Sequence, residues 1–197
     1  MQITQQRYYS AEEYLKLEET AEFRSEYRDG EILPMTGGTP NHNQIALNFS
    51  AVIKAALRGQ PYRVFMADLR LWIPQRKIYT YPDVMIASRP IELLEGRKDT
   101  ITNPAIVAEV LSKSTESYDR GKKFEHYRTL PTFQEYILID QYRIHVEQFS
   151  KTESGKWLFS EYDGEAAVLS LTSVQFQILL PDIYEDIEFE IEEEEEI

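Results

Sequence analysis

The chain has 197 residues, is 42% hydrophobic and 12% aromatic, contains no cysteine and carries a formal net charge of −13. That length supports one domain with a proper core and is short for two, and the composition excludes a disordered chain. The missing cysteines exclude disulfides and thiolate metal sites and fit a reducing cytosol, while no apolar run reaches the roughly 18 residues of a membrane span, so a cytoplasmic protein with no membrane partner is expected.

The first element signal is Ser10-Ala11-Glu12-Glu13, a capping box, with Tyr9 and Tyr14 spaced as a hydrophobic staple. Residues 24–36 read as a hairpin turning at Asp29-Gly30. Asn41, with Gln44 three residues on, is expected to cap a helix whose apolar positions Ile45, Phe49, Val52, Ile53, Ala56 and Leu57 recur at helical spacing until Gly59-Gln60-Pro61. Residues 62–73 alternate like one strand interrupted near Asp68, residues 79–87 and 105–112 read as two further strands, and residues 119–129 read as a helix. A hairpin over 135–149, shorter strands over 157–171 and a short helix over 173–180 complete the body. Helices flanking a mixed sheet place the fold in the α/β or α+β class. One domain over residues 1–187 is expected, followed by an acidic, disordered tail over 188–197. From Asp182 onward there are ten acids and no Lys or Arg; setting these aside leaves 24 acids against 21 bases, so the negative charge is largely a property of that end.

Two of the apolar runs each hold one acid. Asp83 stands in Tyr81-Pro82-Asp83-Val84-Met85-Ile86-Ala87, and Glu109 in Ala105-Ile106-Val107-Ala108-Glu109-Val110-Leu111-Ser112. Asp83 can be a turn cap at a strand start. Glu109 lies mid-strand in a run continuous enough to be buried on both faces, where an ionised carboxylate is costly without a cation, a lysine or a shifted pKa. Two acids on neighbouring strands can share one divalent metal, the site type of phosphodiester-cleaving enzymes. Lys113, Arg120, Lys122, Lys123 and Arg128 form the only basic cluster visible along the chain, diluted by Glu116, Asp119 and Glu125. No phosphate-binding loop, dinucleotide fingerprint or nucleophile elbow is present.

Pro82-Asp83 followed by Glu109 resembles the PD-(D/E)XK nuclease superfamily. The stretch 109–123, together with Asp29-Gly30-Glu31, His42 and Tyr81-Pro82-Asp83-Val84, resembles one branch of it in order and spacing, the Uma2 family of restriction-endonuclease-like proteins, over about residues 8 to 185. The resemblance implies a restriction-endonuclease-like core and a magnesium site, with manganese as a substitute, held by Asp83, Glu109 and the Val110 backbone carbonyl. The superfamily's lysine falls two residues after the strand acid, where this chain has Leu111; Lys123 on the following helix, or Lys113, is then the candidate. Glu31 is implied as a third carboxylate, with a solvated hairpin acid as the alternative and Glu26 as a weaker claimant. His42 is open to two roles, helix capping or positioning of water or phosphate. A DNA endonuclease acting as a homodimer, one site per strand, is what the resemblance implies. A non-catalytic nucleic-acid-binding or scaffold module that keeps the fold is the alternative, motivated by the missing strand lysine.

Overall fold

The computed structural model describes residues 7–35 and 37–189. Helix α1 (Ala11–Glu18) starts at the capping box: Ser10 Oγ accepts from the Glu13 N–H at 3.1 Å, and the Glu13 carboxylate accepts from the Ser10 N–H at 2.7 Å. Strands β1 (Ser25–Arg28) and β2 (Glu31–Pro34) pair antiparallel across Asp29 and Gly30, whose φ values of 42° and 108° are what a two-residue hairpin turn requires. Helix α2 (Pro40–Ala56) is capped by Thr39 rather than Asn41. The Thr39 hydroxyl accepts from the His42 N–H at 3.1 Å, and Pro40 fills the first helical position, where no N–H is needed.

The expected strand over 62–73 is two strands, β3 (Tyr62–Met66) and β4 (Arg70–Ile73), which join different sheets after a break at Ala67, held at φ 44°. The run 79–87 divides in the same way, into β5 (Ile78–Thr80) and β6 (Val84–Ser88), with Tyr81-Pro82-Asp83 crossing between sheets. Strands β7 (Thr100–Ile101) and β8 (Pro104–Leu111) follow. A helical segment comes next: α3 (Glu116–Tyr118), a π-helical turn (Asp119–Lys123) and α4 (Phe124–Tyr127). Strands β9 (Glu135–Asp140), β10 (His145–Lys151) and β11 (Trp157–Asp163) form a meander. The short helix expected over 173–180 is instead strand β13 (Phe176–Leu179), paired antiparallel with β12 (Val168–Leu171), and only then α5 (Leu180–Ile183). Phe176 and Ile178 alternate inward at a period of two, and Gln175 at φ 50° turns the chain back between the strands.

The largest sheet runs β11-β10-β9-β8-β6-β3, and β8 and β9 are its parallel pair. A parallel pair needs a crossover, and the 116–127 helical segment supplies it. Helix α2 covers one face through Ile45, Phe49 and Ile53 against Val84, Ile86, Ala108 and Val110, while Phe124, Tyr127 and Phe133 cover the other against Met85, Val107 and Leu138. Every residue of β8 is buried, Glu109 included. A second sheet, β2-β1-β5-β4-β7, stands beside it, so the fold is a mixed α+β architecture. None of the described helices is long and apolar enough to cross a membrane. The acidic segment from 190 onward lies outside the described residues.

Helix α1 is tied to the second sheet by a buried polar network. Arg70 Nε donates to the Tyr81 hydroxyl at 2.8 Å, the Tyr81 hydroxyl donates to Glu18 Oε2 at 2.8 Å, and an Arg70 amino group lies 3.4 Å from that same oxygen. Glu18 also accepts from the Ser25 N–H at 3.1 Å. Removing one member of a buried ion pair strands the other charge. Arg70→Met is therefore expected to lower stability by about 3–5 kcal/mol, and adding Glu18→Gln to recover part of the loss, as measured by urea denaturation.

Candidate active site

The sheet places Asp83 and Glu109 at one end of the adjacent strands β6 and β8. The β6–β8 ladder stops at Val84 opposite Ala108, so the next β8 N–H facing β6, that of Val110, has no strand partner. Asp83 Oδ2 takes that N–H at 2.8 Å. The capping role of Asp83 and its place in the cleft thus belong to the same geometry. The same Oδ2 lies 3.2 Å from His42 Nε2, which the first turn of α2 brings over the sheet end. Gly38 lets the imidazole sit this close, since a Cβ there would come within 2.8 Å of His42 Nδ1. Gln141 anchors the loop: it accepts from the Thr39 hydroxyl at 2.5 Å and donates to the Leu111 carbonyl at 2.6 Å.

Glu109 is buried, with its side chain on the face covered by the helical segment. Lys123 Nζ lies 2.9 Å from Oε1, and the Tyr127 hydroxyl donates to the same oxygen at 2.6 Å. Oε2 is 3.4 Å from the Asp83 N–H. Lys123 is shared with Asp119 Oδ1 at 3.2 Å, a buried oxygen without a well-formed hydrogen bond of its own among the described residues. Asp119, Lys123 and Tyr127, spaced by four along a segment that includes the π-helical turn, stand on one side of it, with Lys123 and Tyr127 on Glu109 and Asp119 on Lys123.

The charges in the site respond to one another. Burial pushes the Glu109 carboxyl up to about 8, with Asp83 and Asp119 adding to the rise and Lys123 opposing it. Burial works against the Lys123 ammonium, yet Glu109 and Asp119 hold its pKa well above the ordinary lysine value. Burial likewise opposes the charged forms of Asp83 and His42, but their mutual contact wins, lowering the pKa of Asp83 and raising that of His42.

Glu31 stands at the start of β2 opposite Arg28 and is not part of the cleft wall, whereas Glu26 is. The Glu26 carboxylate accepts from the Thr80 hydroxyl and from Arg28 at 2.5 Å, and Arg28 stacks 3.8 Å over the Tyr118 ring. Burial opposes its charge, but Lys123, Thr80 and Arg28 keep the Glu26 carboxyl below its ordinary value. Lys113 lines the cleft but lies 5.2 Å over the Tyr142 ring, so Lys123 is the lysine brought to Glu109. Asp68 is exposed at the β3–β4 break and does not reach the cleft, and neither do His126 and His145. The cleft bounded by these groups holds about 450 Å³. Asp119 and Tyr127 were missed as site residues, although their spacing of four on either side of Lys123 is a signal present in the sequence.

A buried strand carboxylate held by a lysine, beside a second acid at the sheet end, on a mixed sheet with helices on both faces, defines a restriction-endonuclease-like protein in architecture. The structure is similar to that of a putative nuclease belonging to DUF820 from Anabaena variabilis, with a TM-score of 0.73 and 21% identity over 89% of this chain and 97% of that one, a likeness of fold. Residues 11–181 match the model of Uma2, described as putative restriction endonuclease, and the chain belongs to that family. It is 39% identical to the uncharacterized Synechocystis protein sll1609, over 83% of this chain and 92% of that one. It is 36% identical to slr1290 of the same organism, over 91% and 93%.

Because the folded-state pKa of Glu109 lies above its ordinary value of 4.5, the unfolded chain releases that proton first as pH rises. Glu109 therefore costs stability progressively between about pH 4.5 and 8. Glu109→Gln removes that dependence. Its stability relative to wild type is expected to improve from pH 5 to pH 8 by on the order of 2–3 kcal/mol, as read from chemical denaturation at both pH values.

Proposed function

We propose that this protein is a metal-dependent DNA endonuclease that hydrolyses phosphodiester bonds at the Asp83–Glu109–Lys123 cleft. The observation that carries the reading is the Glu109 carboxylate, buried near the end of β8, held by Lys123 on one oxygen and facing the same cleft as Asp83. A hydrophobic residue would pack there at no electrostatic cost, so chemistry is the better account of an acid.

The donor set fits a hard divalent cation. Two carboxylates face one cleft, and burial holds the Glu109 carboxyl up with Asp83 and Asp119 adding to the rise, which a cation would relieve. The N–H and C=O of one strand residue point the same way, so the Val110 carbonyl faces the Asp83 side as its N–H does. Magnesium, or manganese in its place, would be held by Asp83, Glu109 and this carbonyl. When bound it supplies a water of lowered pKa and neutralises charge on the phosphate oxygens.

The chain's own residues do the rest. Lys123, held protonated by Glu109 and Asp119, cannot serve as a base at neutral pH; its ammonium holds the scissile phosphate or the charge that builds on it. His42 fixes Asp83 Oδ2, which supports its positioning role, while the helix cap falls to Thr39. Glu26 completes the acidic wall with Arg28, the place the family resemblance gives to Glu31. Two copies in a homodimer would present two sites to the two strands of a duplex. The cysteine-free composition fits action in the cytoplasm.

One observation favours the alternative of a non-catalytic nucleic-acid-binding or scaffold module. Among the described residues, no group of three or more acids and histidines stands in position to hold a metal.

Calorimetry with Mn²⁺ separates the two readings. Wild type is expected to bind with an affinity that rises up to about tenfold per pH unit toward pH 8 and levels off above it, as Glu109 gives up its proton. The combined Asp83→Ala and Glu109→Ala variant, shown folded by circular dichroism, is expected to lose that binding. Plasmid cleavage is expected to fall about 100-fold or more in Lys123→Met. A folded wild type that binds no Mn²⁺, with or without DNA, leaves the scaffold reading in place.

A further inference from the structure

A second cleft, of about 950 Å³, lies where the C-terminal half of α2 meets β3, the end strand of the large sheet. Its wall carries Lys54, Arg58, Arg63 and Arg89, all exposed, and no carboxylate. None of the four has an ion-pair partner among the described residues. In a chain with 34 acids this is a marked local departure.

The departure extends along the sequence. Between Glu31 and Asp68 there is no acidic residue, although the stretch includes the 17-residue helix α2, where glutamate is a favoured helix former. Lys54 and Arg58 suit a helix C-terminus by themselves. That account does not extend to Arg63 on β3 or to Arg89 beyond β6. The fold brings these two to the same place, since Tyr62 pairs with Ser88 and the Arg89 N–H donates to the Pro61 carbonyl at 2.7 Å. The basic cluster apparent along the sequence fares differently, because Arg120 is neutralised by Glu116 and Glu147, and Lys123 is buried against Glu109.

The cleft has a fixed relation to the candidate active site. Met66 of β3 pairs with Val84, next to Asp83, and Tyr62 pairs with Ser88, next to Arg89, so the β3–β6 ladder runs from one to the other. Helix α2 makes the same traverse from His42 to Arg58, about 24 Å at its usual rise. That distance is close to the rise of seven base pairs along a duplex axis, at about 3.4 Å each.

We infer that this cleft is a second contact for the phosphate backbone of duplex DNA, holding the duplex some seven base pairs from the bond at the Asp83–Glu109 cleft. The identity of the polyanion rests on the nuclease reading, whereas the charge and placement of the cleft do not.

The test is fluorescence anisotropy of a labelled duplex of about 30 base pairs in EDTA, so that binding is read without cleavage, over about 50–200 mM salt. Three proteins are compared: wild type, the combined Lys54→Ala, Arg58→Ala, Arg63→Ala and Arg89→Ala variant, and a charge-matched control with Lys16→Ala, Lys98→Ala, Lys151→Ala and Lys156→Ala. The cleft variant is expected to bind at least about tenfold more weakly, with the slope of log affinity against log salt reduced by about 2–4, while the control stays near wild type. Equal losses in both variants, no loss in the cleft variant, no duplex binding by wild type, or preferential capture of duplex RNA in competition overturns the inference. Plasmid cleavage with Mn²⁺ scores the nuclease reading separately. Cleavage with an unaffected cleft variant sinks only the second contact, and duplex binding lost in the cleft variant without any wild-type cleavage sinks only the nuclease.

Discussion

The buried contact between Lys123 and Glu109 is the constraint around which the rest of the site is arranged. Strand β8 is buried along its whole length, so the carboxylate near its end needs a cation delivered through protein rather than from solvent. No strand neighbour supplies one, because Leu111, two residues on, is part of the apolar face. The cation must come from the crossover that the parallel pairing of β8 and β9 already requires. Along that crossover, spacing of four gives the lysine a second acid, Asp119, and places the Tyr127 hydroxyl on the carboxylate oxygen that Lys123 touches.

The opposite face is built by a different device. Helix α2 packs its apolar side on the sheet, and its first turn overhangs the strand end, where a ladder N–H has lost its partner. Asp83 satisfies that N–H and in doing so presents its Oδ2 to His42. The loop before the helix is pinned by Thr39 to Gln141, and Gly38 leaves room for the ring. Elements from both faces therefore converge on one sheet end, where the strands stop and the polar groups of the backbone become available.

Asp83 and Glu109 stand out in the sequence because each is an acid in an apolar run, whereas Lys123 becomes a candidate, beside Lys113, only through the family resemblance. The Asp29-Gly30 hairpin was readable because only a few residues tolerate its backbone angles. What escaped depends on sheet membership. Residues 62–73 alternate like one strand apart from the interruption near Asp68, and that local signal does not say that β3 and β4 diverge into two sheets at Ala67. Glu26 and Glu31 sit on paired strands of one hairpin, and which of them faces the cleft is decided by the strands β1 meets, not by the hairpin itself. In residues 173–180 the apolar positions Val174, Phe176, Ile178 and Leu180 recur at a period of two, but Leu179 beside Leu180 also suits a short helical face, and pairing with β12 settles it.

Net charge misleads for a related reason. At physiological ionic strength the Debye length is about 8 Å, so a phosphate at Arg63 responds to the charges lining its own cleft far more than to acids beyond that range. Ten of the chain's acids stand in its last sixteen positions, and the long acid-free stretch stands in its first half. A sum over the whole chain averages these together and suggests a protein that nucleic acid would avoid. The fold does not average them. It gathers lysine and arginine from a helix, an end strand and a loop into one surface, while pairing most of the arginines elsewhere with carboxylates. Attraction for a polyanion is therefore a property of that surface, and dilution of salt, by lengthening the Debye length, would bring the distant acids back into play and weaken rather than simply strengthen the discrimination between the two faces.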